Sequence, residues 1–346
     1  MLRRPRQLRR SPPATLTGVS EGQAGLRIGY FVTAYTELPQ LQRLLKTLLQ
    51  WDPGGEIALH FDRSKATLDL GGLADERLHV LPEWSPVTWG DSSYLEVLLR
   101  GLRWWSHREV DWVVVLSGQD YPIRPADELR ELFATSERNA FIWGGNLGLP
   151  PDHYRLTDLD RHRARYFAHW GKVPRVLWRQ PARSVTRRAL QVAKRILPGG
   201  LLVWDLPHND RPWVGWRPIR PHPFTEEFQC CISWDYFAAD QKAISILTSN
   251  EARVTRLRRW YRRTVIPTES FFITVIRGHP QLRSKPRALH YGPRTNPYDP
   301  HPLVLTQSSF DDLVASSCFF ARKFDADSTP LLDRIDGELL SGFLST

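Results

Sequence analysis

Residues 111–122 read DWVVVLSGQDYP, and this stretch decides the fold class. Positions 112–116 form an unbroken apolar run centred on three valines. It is too short for a typical helix and shows no polar alternation, so it predicts a strand covered on both faces. The run stops at SGQD (117–120), a cluster of turn formers. Strands covered on both faces belong to the largely parallel sheets of α/β proteins, where ligands bind beyond the carboxyl ends of the strands. Asp120 is therefore a candidate site residue. An Asp there can equally serve to hold the turn.

The same grammar extends outward. Residues 26–33 (LRIGYFVT) and 56–61 (EIALHF) read as further buried strands, the second ending at Asp62, and 77–81 (RLHVL) as a short third. Between them, 38–49 carries leucines at helical spacing, and 91–106 reads as a helix capped by Asp91 or Ser92. Strands alternating with helices predict one α/β domain with a mostly parallel central sheet flanked by helices. Residues 1–25, with Arg3, Arg4, Arg6, Arg9 and Arg10 among Ser, Pro and Gly, read as a disordered basic tail. The folded part, 26–346, divides into a nucleotide-binding half (26–145), an Arg- and Trp-rich insertion (146–225) and a catalytic and acceptor half (226–346). The last part reads as a strand at 228–237, helices at 240–247, 251–263 and 269–277, and a final helix before 319–325. Within the insertion, 183–197 (RSVTRRALQVAKRIL) is an amphipathic helix with a basic face. It can pack its apolar stripe on the domain or lie on an anionic membrane surface.

The chain carries 47 basic and 37 acidic residues, a net charge of +10. Such a surface suits nucleic acid, anionic lipid or an anionic small molecule. No helix-turn-helix, zinc-finger or RNP signature accompanies it, which argues against nucleic acid. Fourteen Trp residues can serve as sugar platforms or as core. The three Cys, at 230, 231 and 318, show neither a disulfide framework nor metal-ligand spacing. No stretch has the length and apolarity of a signal peptide or membrane span. The expectation is a cytoplasmic protein with, at most, a peripheral membrane contact through 183–197.

Transfer of a glycosyl group with inversion needs a general base for the acceptor hydroxyl and positive charge for the departing diphosphate. A divalent metal on an Asp-X-Asp motif often supplies that charge. Two such tripeptides occur, Asp158-Leu159-Asp160 and Asp325-Ala326-Asp327, but neither follows a convincing strand. The basic pair Arg322-Lys323 is the alternative source.

Five segments occur in series: LHFDR (59–63), VTWGDSS (87–93), LSGQDYP (116–122), PTESFF (267–272) and FARKFD (320–325). Together they resemble the family of core-2/I-branching β-1,6-N-acetylglucosaminyltransferases and peptide O-xylosyltransferases, glycosyltransferase family 14, over about residues 26 to 336. The resemblance implies a GT-A-like fold, a UDP-sugar donor with N-acetylglucosamine favoured, a saccharide or glycoconjugate acceptor, and inversion without a metal or other cofactor. By position it makes Glu269 the catalytic base and Lys323, beside Arg322, a diphosphate contact. It puts Val32, Asp62 and Asp120 at the donor, and Trp234 and Tyr291 at the acceptor. Three departures accompany it. Cys231-Ile232-Ser233-Trp234 replaces a small-residue Gly-Ser-X-Trp string. A second basic diphosphate contact is left open among Lys285, Arg287 and Arg294. The membrane anchor and disulfides of the animal enzymes have no counterpart. A nucleotide-sugar hydrolase, a transferase using UDP-xylose and an inactive binding relative share these motifs.

Overall fold

A computed structural model describes residues 25–36, 38–147, 160–197, 200–204, 210–217, 222–295 and 302–342; the side chains of residues 160, 161 and 285 are not described. The basic tail up to residue 24, Asp158 and Leu159 lie outside this set. In chain order, β1 (Ile28–Ala34) leads through α1 (Leu38–Trp51) to β2 (Glu56–Phe61) and β3 (Leu78–Val80). Then come α2 (Ser93–Ser106), β4 (Trp112–Ser117), β5 (Asp120–Pro122), α3 (Ala126–Ala134) and β6 (Ala140–Asn146). The next stretch holds α4 (Asp160–Phe167), β7 (His169–Lys172), a 3-10 turn (Arg175–Trp178), α5 (Ala182–Ile196), β8 (Leu201–Trp204) and β9 (Trp213–Trp216). It is followed by β10 (Cys231–Asp240), α6 (Gln241–Thr248), α7 (Ala252–Tyr261), α8 (Thr268–Gly278), β11 (Ser284–Pro286) and β12 (His290–Tyr291). The chain closes with α9 (Phe310–Ala315), β13 (Phe320–Arg322) and α10 (Thr329–Glu338).

The central sheet has seven strands in the order β11-β6-β10-β4-β1-β2-β3. All neighbours run parallel except β10, which is antiparallel to both β4 and β6. The expected mixed α/β architecture, a mostly parallel sheet flanked by helices, is the observed one. The apolar run at 112–116 shows why. Trp112, Val114 and Leu116 enter one core with Tyr30 and Val32 of β1 and the leucines of α1. Val113 and Val115 enter a second core with Phe31, Leu98 and Trp105. A strand with helices on both faces needs apolar residues at every position, and this one has them.

β1 lies between β2 and β4, so the connections leave it in opposite directions. The crevice beyond the carboxyl ends of β1 and β4 is the topological switch point of the sheet. A second, three-stranded sheet (β12-β13-β5) begins where β5 follows the end of β4, and a third (β7-β9-β8) is formed by strands between residues 169 and 216. The Arg- and Trp-rich stretch thus has regular structure between residues 160 and 216 that its composition does not advertise. Strand β10 begins three residues later than the reading of 228–237, and α10 follows the helix expected to be the last. Asp91 rather than Ser92 serves the start of α2, its Oδ1 accepting from the Ser93 N–H at 2.7 Å.

Candidate functional site

Helix α8 begins at a strained turn. Ile266 has φ of 49°, a left-handed conformation that a β-branched residue adopts at a cost. Its N–H donates to the Gly90 carbonyl at 2.8 Å, and Gly90 is itself left-handed at φ 83°. The WGD and PTE segments, far apart in sequence, are thereby held together. Polar groups pin the helix to β10: Ser270 Oγ donates to the Cys231 carbonyl at 2.5 Å, and the Cys231 N–H donates to Thr274 Oγ1 at 3.0 Å. Glu269, in the first turn, sits where the helix dipole favours an anion. Its Oε2 accepts from Arg165 Nη1 at 2.6 Å and from the Tyr166 hydroxyl at 3.4 Å. Among the described residues both contacts fall on Oε2, so Oε1 can take a substrate proton.

Arg165 and Tyr166 come from α4, and sequence reasoning missed both. The Arg165 guanidinium is also stacked on Trp204 of β8 at 4.6 Å, and its buried Nε has no partner. His162, one turn earlier, also has a buried, unpartnered Nδ1. Burial and Arg165 hold the His162 pKa below the ordinary value, so the ring is neutral near pH 7.

Opposite α8, β10 loses register against β6 between Ser233 and Phe237. This bulge carries Trp234, Asp235 and Tyr236, and bulges re-aim side chains beside sites. Gly144, paired with Ser233, has φ of 147°, and a Cβ there would lie 2.0 Å from the Ile232 carbonyl oxygen. Asp235 Oδ1 is buried without a partner. Burial, then the Glu269 charge, push the Asp235 pKa up to about 7, against a hydrogen bond with Thr268 and the charges of Arg322 and Arg294. Trp234 lies 5.3 Å from Trp143, half exposed on β6, and the Arg294 guanidinium stands 5.7 Å from the Trp234 ring. The two indoles form an aromatic wall.

Beyond Asp235 lies the end of β4. Ser117 holds both Asp120 oxygens, by its N–H at 2.7 Å and its hydroxyl at 3.0 Å. Antiparallel pairing of β13 with β5 sets Arg322 opposite Asp120, with Nε 3.6 Å from the carboxylate. The Arg322 guanidinium is 3.8 Å from the Tyr236 ring centroid, and its Nε and Nη1 are buried without hydrogen-bond partners. His290 is also buried, with neither ring nitrogen hydrogen-bonded and Nε2 3.8 Å from Asp120; burial and Arg322 lower its pKa to about 3, so it is neutral. A buried guanidinium with free N–H groups is costly unless an anion completes it. Asp120 faces this guanidinium without a hydrogen bond to it, so the free N–H groups can still receive a second anionic group.

The other anticipated residues fall as follows. Val32 is fully buried, 0% exposed, in the core beneath α1. Strand alternation puts Thr33, not Val32, beside Tyr94 on the site face, 3.1 Å between their hydroxyls. Asp62 is buried at the end of β2 and accepts from the Ser64 N–H at 3.0 Å, the Ser64 hydroxyl at 2.6 Å and the Val87 N–H at 2.8 Å. Burial would raise its pKa, but these bonds and Lys65 hold it below the usual range. Lys323 is half-buried next to Arg322. Tyr291 hydrogen-bonds Asp312 and lies near Cys318. Of the three open basic positions, Arg294 is at the site, Arg287 lies over Phe141 and Phe319, and the Lys285 side chain is not described. Asp325 caps a 3-10 turn by accepting from the Asp327 N–H at 3.0 Å, and Asp160 is not described at side-chain level. No cluster of three or more metal-ligating side chains occurs among the described residues.

The fold and these residues define an α/β protein with a half-buried carboxylate in the first turn of α8 and a buried, incompletely hydrogen-bonded guanidinium at the end of β13. No protein-family model matches the chain. It is similar to three β-glucuronosyltransferases of Arabidopsis thaliana. It is 25% identical to GlcAT14B over 322 residues, covering 86% of this chain and 63% of that one. It is 26% identical to GlcAT14C over 274 residues (78% and 58%) and 26% identical to GlcAT14A over 235 residues (67% and 43%). The chain thus spans less than two thirds of each relative. The relatives are glycosyltransferases, in agreement at that level with the resemblance read from the motifs. Among solved structures, 4-diphosphocytidyl-2C-methyl-D-erythritol synthase from Anaerococcus prevotii covers 69% of this chain and 85% of its own at 14% identity, with a TM-score of 0.27. A score that low decides nothing about the site.

Proposed function

We propose that this protein is an inverting glycosyltransferase that moves a sugar from a UDP-sugar to a hydroxyl of a saccharide or glycoconjugate. The observation that carries this reading is that two features flank Asp235, which feels the charges of both Glu269 and Arg322. Glu269 is held through Oε2, with no partner on Oε1 among the described residues, and Arg322 is buried with unsatisfied N–H groups. The first suits a general base, the second a diphosphate. In the proposed step Glu269 Oε1 takes the acceptor proton as the acceptor oxygen bonds to the anomeric carbon. The bond from that carbon to the diphosphate oxygen breaks on the opposite face. Arg322, with Lys323 beside it, meets the negative charge that develops on the leaving UDP. These guanidinium and ammonium groups supply the charge a divalent metal supplies elsewhere, so the reading is metal-independent.

The donor sugar is the finer question. N-acetylglucosamine is the first expectation from the motifs, and xylose the second. The relatives' activity and the unpartnered Nε atoms of Arg294 and Arg165 favour a uronate, whose carboxylate those groups would receive. The test is UDP release from UDP-glucuronate, UDP-N-acetylglucosamine and UDP-xylose, with and without mixed saccharide acceptors. The reading expects one preferred donor and release that rises with acceptor. Release of free sugar at a rate indifferent to acceptor would make the protein a hydrolase. No release from any donor would favour an inactive binding relative.

A further inference from the structure

Helix α5 is amphipathic, yet the fold covers only one side of its apolar face. Ala182, Thr186, Leu190 and Ala193 are half-buried where it packs on the 3-10 turn and β8. At about 100° per residue, Val185, Ala189, Val192 and Ile196 form a stripe beside that contact. No residue of the helix is buried, and Val185, Val192 and Ile196 are 69%, 51% and 70% exposed. Val176 and Leu177 of the 3-10 turn and Leu197 are exposed as well. A contiguous apolar patch rimmed by polar groups marks an interaction surface.

The charge around it identifies the occupant. Residues 161–204 contain eleven Arg and Lys and no Asp or Glu. Arg188 and Arg195 lie on the open flank of the stripe, while Arg183 and Arg187 close over Trp178 on the far side, at 5.1 and 5.5 Å. A second copy of this chain would bring like charges together. An anionic bilayer satisfies both features, taking the apolar stripe into its acyl boundary and the guanidinium groups among its headgroups. No helix among the described residues is long and apolar enough to cross a membrane, so the contact is peripheral.

We propose that α5 and the adjoining 3-10 turn dock this protein on an anionic lipid bilayer, with Val185, Val192 and Ile196 inserted and Arg188 and Arg195 on the headgroups. The surface is independent of the sugar-transfer reading, but close to its site: α5 packs on β8, whose Trp204 stacks on Arg165.

The experiment is flotation of the full chain with vesicles of phosphatidylcholine alone and of equimolar phosphatidylcholine and phosphatidylglycerol. Flotation is expected with the anionic vesicles only, decreasing with salt. Val185→Ser/Val192→Ser/Ile196→Ser should abolish it, and Arg188→Gln and Arg195→Gln should each weaken partitioning about fivefold. All these positions are exposed, and circular dichroism melting at the wild-type temperature verifies that the variants fold. Failure to float with anionic vesicles, equal flotation with neutral ones, or flotation unchanged in the apolar variant would each overturn the proposal. A wild-type dimer that the apolar variant turns into a monomer, without vesicle binding, would assign the surface to a second copy instead.

Discussion

At the scale of single residues, the account rests on Glu269 and its holders. Glu269→Gln keeps the shape and the hydrogen bonding to Arg165 but cannot accept a proton. It should retain UDP binding and lose transfer by about a hundredfold or more, read as kcat in a UDP-release assay. Asp235 gives a second test, on stability. Its pKa is raised in the folded protein to about 7, from an ordinary 3.8. The fold therefore favours the protonated form; that contribution is full below about pH 4 and is lost as pH rises through about 7. Asp235→Asn, which never ionises, should raise Tm relative to wild type at pH 8 and leave it unchanged at pH 4. An equal shift at both pH values would show that charge is not the cause. Glu269 and Arg322 were legible because they sit inside recognisable strings. Arg165 and Tyr166 were not, because a side chain that reaches a partner 104 or 103 positions away leaves no local trace. Asp235 was hidden differently: strand alternation is the only guide to facing, and the bulge at 233–237 breaks it.

At the scale of elements, the long strands and helices were legible, because apolar runs and helical spacing are local. The run at 112–116 gave both its strand and the two cores on either side. Shorter elements depend on partners. β11 is three residues, Ser284–Pro286, defined by its parallel pairing with β6. The β7-β9-β8 sheet is built of four-residue strands rich in Trp and Gly, which look like loop in isolation. The bulge in β10 and the glycine facing it form one device. A Cβ at residue 144 meets the Ile232 backbone and the Ile273 side chain, and φ of 147° disfavours any L side chain. Gly144→Ala should cost more than about 1 kcal/mol in chemical denaturation and reduce transfer with it. Wild-type stability in that variant would mean that the bulge does not need the glycine.

At the scale of the whole molecule, two apolar cores clamp the sheet, and a buried ion pair ties its first strand to α3. Asp52, fully buried after α1, accepts from the Tyr30 hydroxyl at 2.6 Å and from Arg130 Nε at 3.0 Å. Removing Arg130 would strand a buried carboxylate. Arg130→Ala should destabilise by about 3–5 kcal/mol, read from urea denaturation, with little change in UDP affinity while folded. A loss under about 1 kcal/mol would show that water reaches Asp52.

Calorimetric titration with UDP tests the site beyond the carboxyl ends of the strands directly. Wild-type protein in EDTA should bind UDP, and added Mn²⁺ should leave the affinity unchanged. Arg322→Met, folded by circular dichroism, should bind at least about tenfold more weakly, the loss of one charge-assisted contact. Binding that appears only with Mn²⁺ would contradict the metal-independent site. Affinity unaffected by Arg322→Met, or no binding by the wild type in either condition, would contradict the nucleotide-sugar site itself.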